Sequence, residues 1–225
     1  MGIISGYLCL LCFVCLTIKA ATRKWKWKKA DKFLMRVHKL LSAIFLLLCL
    51  WHIFAVWHVL KMRAFMVPVT GVAVVFFMLL LIILCHCIKQ GNKKMTWHRI
   101  LSAAMFVCIL CHIVVYTIDF TQYQERIEDI SLKEITISGL EDGVYIGEYD
   151  AGYIYAKVKV EVENGNIREI ILLEHGNERG SAAEQVLDNI VDSRRFPVDT
   201  VSGATNSGKV IQKAVENALY HEQAE

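Results

Sequence analysis

His38-Lys39-Leu40-Leu41-Ser42-Ala43, followed by His52-Ile53, returns as His98-Arg99-Ile100-Leu101-Ser102-Ala103, followed by His112-Ile113, at a constant offset of 60 residues. Each copy lies in an apolar run. A membrane-crossing helix needs about 20 such residues, and four runs approach that length, at roughly 3–20, 34–60, 64–88 and 98–118. Backbone groups in lipid must bond internally, so the runs predict helices. Within each copy the histidines are 14 residues apart; at 3.6 residues per turn this brings them within about 40° of one face and about 21 Å apart along the axis. The expectation is an all-α four-helix membrane bundle in which two helices each present a pair of stacked imidazoles.

Charge divides the chain. Residues 1–118 hold 15 Lys and Arg against one acidic residue, Asp31, whereas the rest holds 10 basic and 21 acidic residues, so a formal +14 is followed by −11. The basic charge sits between the apolar runs, which gives no nucleic-acid signal. Arg23, Lys24, Lys26, Lys28, Lys29 and Lys32 fill the first link, and Lys89, Lys93, Lys94 and Arg99 the third. Cytoplasmic links carry such excess, so the expected protein is multi-pass in the cell membrane with both termini outside the cytoplasm. Positive charge follows the first apolar run rather than preceding it, which favours a retained helix over a cleaved signal peptide. All eight cysteines lie in the apolar half. They read as small polarisable filler.

With spans two and four both running outward, His38 faces His98 near the cytoplasmic surface and His52 faces His112 nearer the outer one. Imidazole inside a membrane is costly without a partner and marks a functional path. Four in a duplicated ladder predict two bis-histidine haem irons, expected to be b-type. Cys108-Ile109-Leu110-Cys111-His112 has the Cys-x-x-Cys-His order of covalent haem attachment, with its two cysteines read, like the others, as filler of an apolar span. Ser42 and Ser102, one turn beyond the inner histidines, are small enough to let a flat macrocycle approach. His58 and His86 stand off the ladder, where packing is the first reading and the ordering of water, a quinone or a haem propionate the alternative. The pattern resembles the di-haem four-helix cytochrome b arrangement, in which a pair of helices supplies two histidines each at this spacing; the resemblance covers about 80 residues.

Beyond residue 118 the pattern changes. Residues 119–138 read as a connector compatible with a helix, and 139–225 as a small α+β domain. Residues 153–163 alternate, with Ala156, Val158, Val160 and Val162 on one face of a half-buried strand. Asn164-Gly165-Asn166 supplies a tight turn and Ile167–Leu173 the returning strand. Helices are expected at about 180–193 and 206–221, the second with Val210, Ile211, Ala214, Val215, Ala218 and Leu219 on one stripe.

Ahead of the last helix stands Asp199-Thr200-Val201-Ser202-Gly203-Ala204-Thr205. This resembles the covalent FMN-binding domains of sodium-pumping NADH:quinone reductases and of their Rnf counterparts, whose Asp-x-x-Ser/Thr-Gly-Ala-Thr pattern is matched at every specified position. The likeness extends over about 139–221, including Gly143-Val144-Tyr145-Ile146-Gly147 and the stretch from Glu174 and His175 to Glu178. It implies that Thr205 carries FMN through a phosphoester made by a flavin transferase, with Asp199, Ser202, Gly203, Ala204, His175 and Glu178 completing the site. The residues agree with it: a threonine at a helix start meets free N–H groups and a dipole that favour phosphate, and Gly203 permits close approach. Asp199 would repel a phosphate unless donors intervene.

Together these readings predict transmembrane electron transfer, from a quinol or cytoplasmic donor through two haems b to a covalent FMN on an extracytoplasmic domain, and on to an extracytoplasmic acceptor. No catalytic acid–base group is assigned, because the cofactors supply the chemistry. The competing functions are a terminal flavin reductase of a quinone, ferric chelate or small organic acceptor, and a redox-sensing module for a partner protein.

Overall fold

Four long apolar helices open the chain: α1 (Gly2–Lys24), α2 (Lys28–Val56, continued by a 3₁₀ turn at Trp57–Met62), α3 (Met66–Cys87) and α4 (Asn92–Glu128). Each is long and apolar enough to cross a membrane. This is a computed structural model that describes residues 2–87, 92–137, 140–177 and 180–220; Lys89, Gly139 and Glu178 lie outside the described residues. The chain divides into two units, residues 1–61 with 65–114, and residues 62–64 with 115–225.

The first unit is cored by Phe13, Phe45, Cys12, Cys49, Val74, Met78 and Met105. Phe13 anchors it, with its ring centroid 5.7 Å from Phe45 and 6.0 Å from Phe106. Apolar side chains also point outward: Phe54 is 79% exposed and Val72 64%. An aqueous protein would hide that surface, and a bilayer accepts it.

Helix α4 runs ten residues past the apolar stretch, to Glu128. Its end is amphipathic, and Tyr123 and Ile127, one turn apart, are buried in the core of the second unit. That core is a three-stranded antiparallel sheet in the order β1 (Gly143–Asp150), β2 (Tyr155–Glu163), β3 (Asn166–Gly176), covered by α5 (Gln185–Ser193) and α6 (Thr205–Tyr220). The alternation expected of residues 153–163 is realised in β2, where Ala156, Val158 and Val160 are fully buried and Val162 nearly so. Asn164 and Gly165 both take positive φ, 55° and 71°, as a two-residue hairpin turn requires. The α6 stripe of Val210, Ile211, Ala214, Val215, Ala218 and Leu219 is buried throughout.

Strand β1 packs on α6. The contact is made at Gly147, where an added Cβ would run into Ala214 O and Ala218 N of the helix. Only glycine permits two backbones to approach so closely.

Candidate functional site

In the second unit, α6 begins at Thr205 itself, and its first turn carries no acidic residue. The first N–H groups of a helix have no intrahelical acceptor, so this end favours an anion. Thr205, Ser202, Gly203 and Asp199 are all exposed, and Ala204 is buried. Ala204 pins the loop to the helix: its N–H donates to Val201 O at 3.0 Å and its carbonyl accepts from Gly208 N at 2.9 Å. Gly203 adopts φ +80°, with open space where a Cβ would stand. The result is a raised loop with an exposed threonine at its crest.

Behind the loop, Gln212 is fully buried. Its Oε1 accepts from Val198 N at 2.8 Å and its Nε2 donates to Val198 O at 3.0 Å, tying the chain before Asp199 to the middle of α6. Gly208 brings the first turn against Thr200, whose Cγ2 would lie 2.9 Å from an added Cβ.

His175, at the end of β3, reaches the same neighbourhood through a short relay. Asn177 Oδ1 accepts from Gly180 N at 2.6 Å, and Gly180 packs directly on Ser207 in the first turn of α6. The His175 side chain is 3% exposed, with Nδ1 3.0 Å from Glu184 Oε1 and 3.2 Å from Asn177 Nδ2. Its Nε2 is buried without a hydrogen-bond partner among the described residues. Glu178, expected beside it, lies outside the described residues. Sequence reasoning missed Gln212, Asn177, Gly180, Glu184 and Ser207. Gly180, in a polar stretch ahead of a helix, was the one available signal.

In the first unit the four ladder imidazoles are partly buried, whereas His58 and His86 are exposed. The rings of His38 and His98 stand 6.2 Å apart between centroids at an interplanar angle of 82°. An iron held by one nitrogen from each ring, with bonds of about 2 Å and about 1.2 Å from nitrogen to ring centre, would separate the centroids by about 6.4 Å. The centroid separation of the inner pair is thus the one that two imidazoles on a single metal would have. Among the described residues no group of three or more His, Cys, Asp or Glu comes together as a metal cage. Ser42 lies one turn from His38 as expected, its hydroxyl donating to His38 O at 2.9 Å.

The outer histidines have partners on the other two helices. His52 Nδ1 is 2.9 Å from Ser5 Oγ, and His112 Nδ1 is 3.0 Å from Thr70 Oγ1. Next to each hydroxyl is a glycine against the same ring: an added Cβ would lie 3.4 Å from His52 Cε1 at Gly6 and 3.3 Å from His112 Cε1 at Gly71. These four residues escaped the sequence reading, although Ser5-Gly6 and Thr70-Gly71 are matching pairs in alternate apolar runs.

No curated protein and no solved structure matches the chain. Residues 151–220 match the FMN-binding domain family. The match contains Thr205 and its loop, and supports FMN as the ligand of the second unit.

Proposed function

We propose that the chain is a transmembrane electron carrier, in which His38 and His98 hold an inner haem b, His52 and His112 hold an outer haem b, and Thr205 bears FMN as a phosphoester. The haems and the flavin supply the redox chemistry. The protein's own residues would hold and orient them: imidazoles as iron ligands, the α6 N–H groups against phosphate, and the apolar helices to keep water away. The observation that carries the haem reading is the His38–His98 separation of 6.2 Å, in a chain whose second unit matches a flavin-binding family. The exposed Thr205 suits attachment by a separate flavin transferase, which needs an accessible acceptor.

The route runs from a quinol or cytoplasmic donor, past the inner imidazoles and then the outer ones, to the flavin and an extracytoplasmic acceptor. The basic links set the orientation of the helices across the membrane, and flow in the reverse sense would use the same route. The test is an absorption spectrum with intact mass on protein co-expressed with a flavin transferase. Thr205→Ala is expected to remove the flavin mass and leave the haem bands. His52→Ala is expected to lose about half the haem and keep the flavin. Variants that both retain both cofactors overturn the assignment.

A further inference from the structure

We infer that Ser5 and Thr70 are positioning residues that fix the proton of His52 and His112 on Nδ1 and so turn the Nε2 lone pair of each toward the metal. The inference rests on the haem reading above and adds to it the origin of the ligand tautomer at the outer site.

Proton accounting carries it. A serine or threonine hydroxyl has one hydrogen to give and lone pairs to receive. Ser5 Oγ lies 2.8 Å from Gly2 O of its own helix, and Thr70 Oγ1 lies 2.9 Å from Met66 O and 3.0 Å from Val67 O. Carbonyl oxygens only accept, so each hydroxyl hydrogen is committed to its own backbone. With that hydrogen on the backbone, the hydroxyls present lone pairs to the imidazoles at 2.9 and 3.0 Å, and Nδ1 is the donor in this arrangement. A neutral imidazole protonated on Nδ1 has its lone pair on Nε2. That is the tautomer a metal ligand requires, set by the hydrogen bond at the other nitrogen.

The device occurs twice with the same parts. Ser5 is 1% exposed, so no water competes for its oxygen. Gly6 and Gly71 each let their helix backbone lie against Cε1, the carbon between the two nitrogens, which leaves Nε2 as the end of the ring facing away from the hydroxyl. Helices α1 and α3, which carry no ladder histidine, thus aim the ligands of α2 and α4. The inner pair lacks this support: the Ser42 hydroxyl is spent on His38 O, and His98 Nδ1 is buried without a partner among the described residues.

An Nδ1–H that donates makes its imidazole a more basic ligand, which favours ferric iron, and losing such a partner commonly costs about 10–100-fold in metal affinity. The test measures haem content and midpoint potentials in the full chain for two complementary substitutions. Thr70→Val keeps the shape and removes the acceptor; Thr70→Ser keeps the acceptor and removes the methyl. Thr70→Val is expected to raise the potential of one of the two haems, or to release that haem with an affinity loss of at least about tenfold, while Thr70→Ser behaves as the unsubstituted protein. Ser5→Ala is expected to act on the same haem as Thr70→Val. Haem-loaded protein whose potentials and content are unchanged in Thr70→Val and Ser5→Ala, or which follows the methyl rather than the hydroxyl, overturns the inference alone. Unsubstituted protein that carries no haem overturns it together with the haem reading.

Discussion

The two units invert each other. In the second, the core is aliphatic and sealed, with Val158, Val160, Val210 and Ile211 at 0% exposure, and the candidate ligand site is a surface loop. In the first, apolar side chains face outward while Ser5 and the imidazoles point in. The solvent explains the inversion: water drives apolar groups inward, whereas lipid is as apolar as they are and leaves packing and polar contacts to hold helices together. The loop of the second unit therefore lies outside its aliphatic core, whereas in the first unit the polar groups lie within the packing.

The largest way to break this contrast is to truncate a large apolar side chain in each unit. Ile211→Ala in the sealed core is expected to cost about 2–5 kcal/mol, read as a lower midpoint of denaturant unfolding of the second unit. Phe54→Ala on the outward face of α2 removes a larger side chain, yet is expected to leave thermal stability in a bilayer nearly unchanged, because the lost contacts are with lipid. Equal losses at the two positions would show that the outward face is packed against protein.

A smaller change tests how the loop site is tied to the core. Gln212→Met fills the same volume but removes both partners of the half-buried Val198 backbone, a loss of about 1 kcal/mol for each hydrogen bond. Because Val198 immediately precedes Asp199, flavin loading by co-expressed transferase should fall along with stability. Gly203→Ala probes the crest. With open space around it and φ +80°, only backbone strain opposes a methyl, about 1–2 kcal/mol. Loading should drop further than that small stability loss would suggest, since the loop must hold the hydroxyl at one angle.

Local features were legible and non-local ones were not. Strand β2 announced itself by strict alternation, and the Asn164-Gly165 turn by its residue types, because both obey rules that act within a few residues. Strand β1 has Gly147 as its only buried residue, so it offered no apolar alternation; its reason for burial is α6, which begins 58 residues later. The end of α4 read as connector because its polar residues hide the Tyr123–Ile127 pair, whose partners lie in the second unit's core. In the membrane unit the ladder was visible as a repeat. The hydroxyls that hold it were not: in an apolar run a lone Ser or Thr looks like filler, and their imidazoles lie 47 and 42 residues away.

The subtlest effect is expected at Tyr153, where the second unit buries a polar group as the first unit does. Its ring stacks on Tyr123 at 4.6 Å and 12°, the Arg63 guanidinium lies 3.3 Å over its face, and its hydroxyl donates to the buried Asp119 at 2.8 Å. Burial, and then the bond to Asp119, hold the phenol well above its ordinary range. A folded pKa above the unfolded value of about 10 means that the stabilisation is complete below about pH 10 and is lost as pH rises through the folded value. Unfolding midpoints should therefore be flat to about pH 10 and decline above it, and Tyr153→Phe should flatten that decline. The same substitution leaves Asp119 buried without its donor, so the variant should be less stable at neutral pH. If Tyr153→Phe left the alkaline decline unchanged, another group would be titrating there, and the buried Tyr153–Asp119 bond would not be what distinguishes this corner from the dry core around Val160.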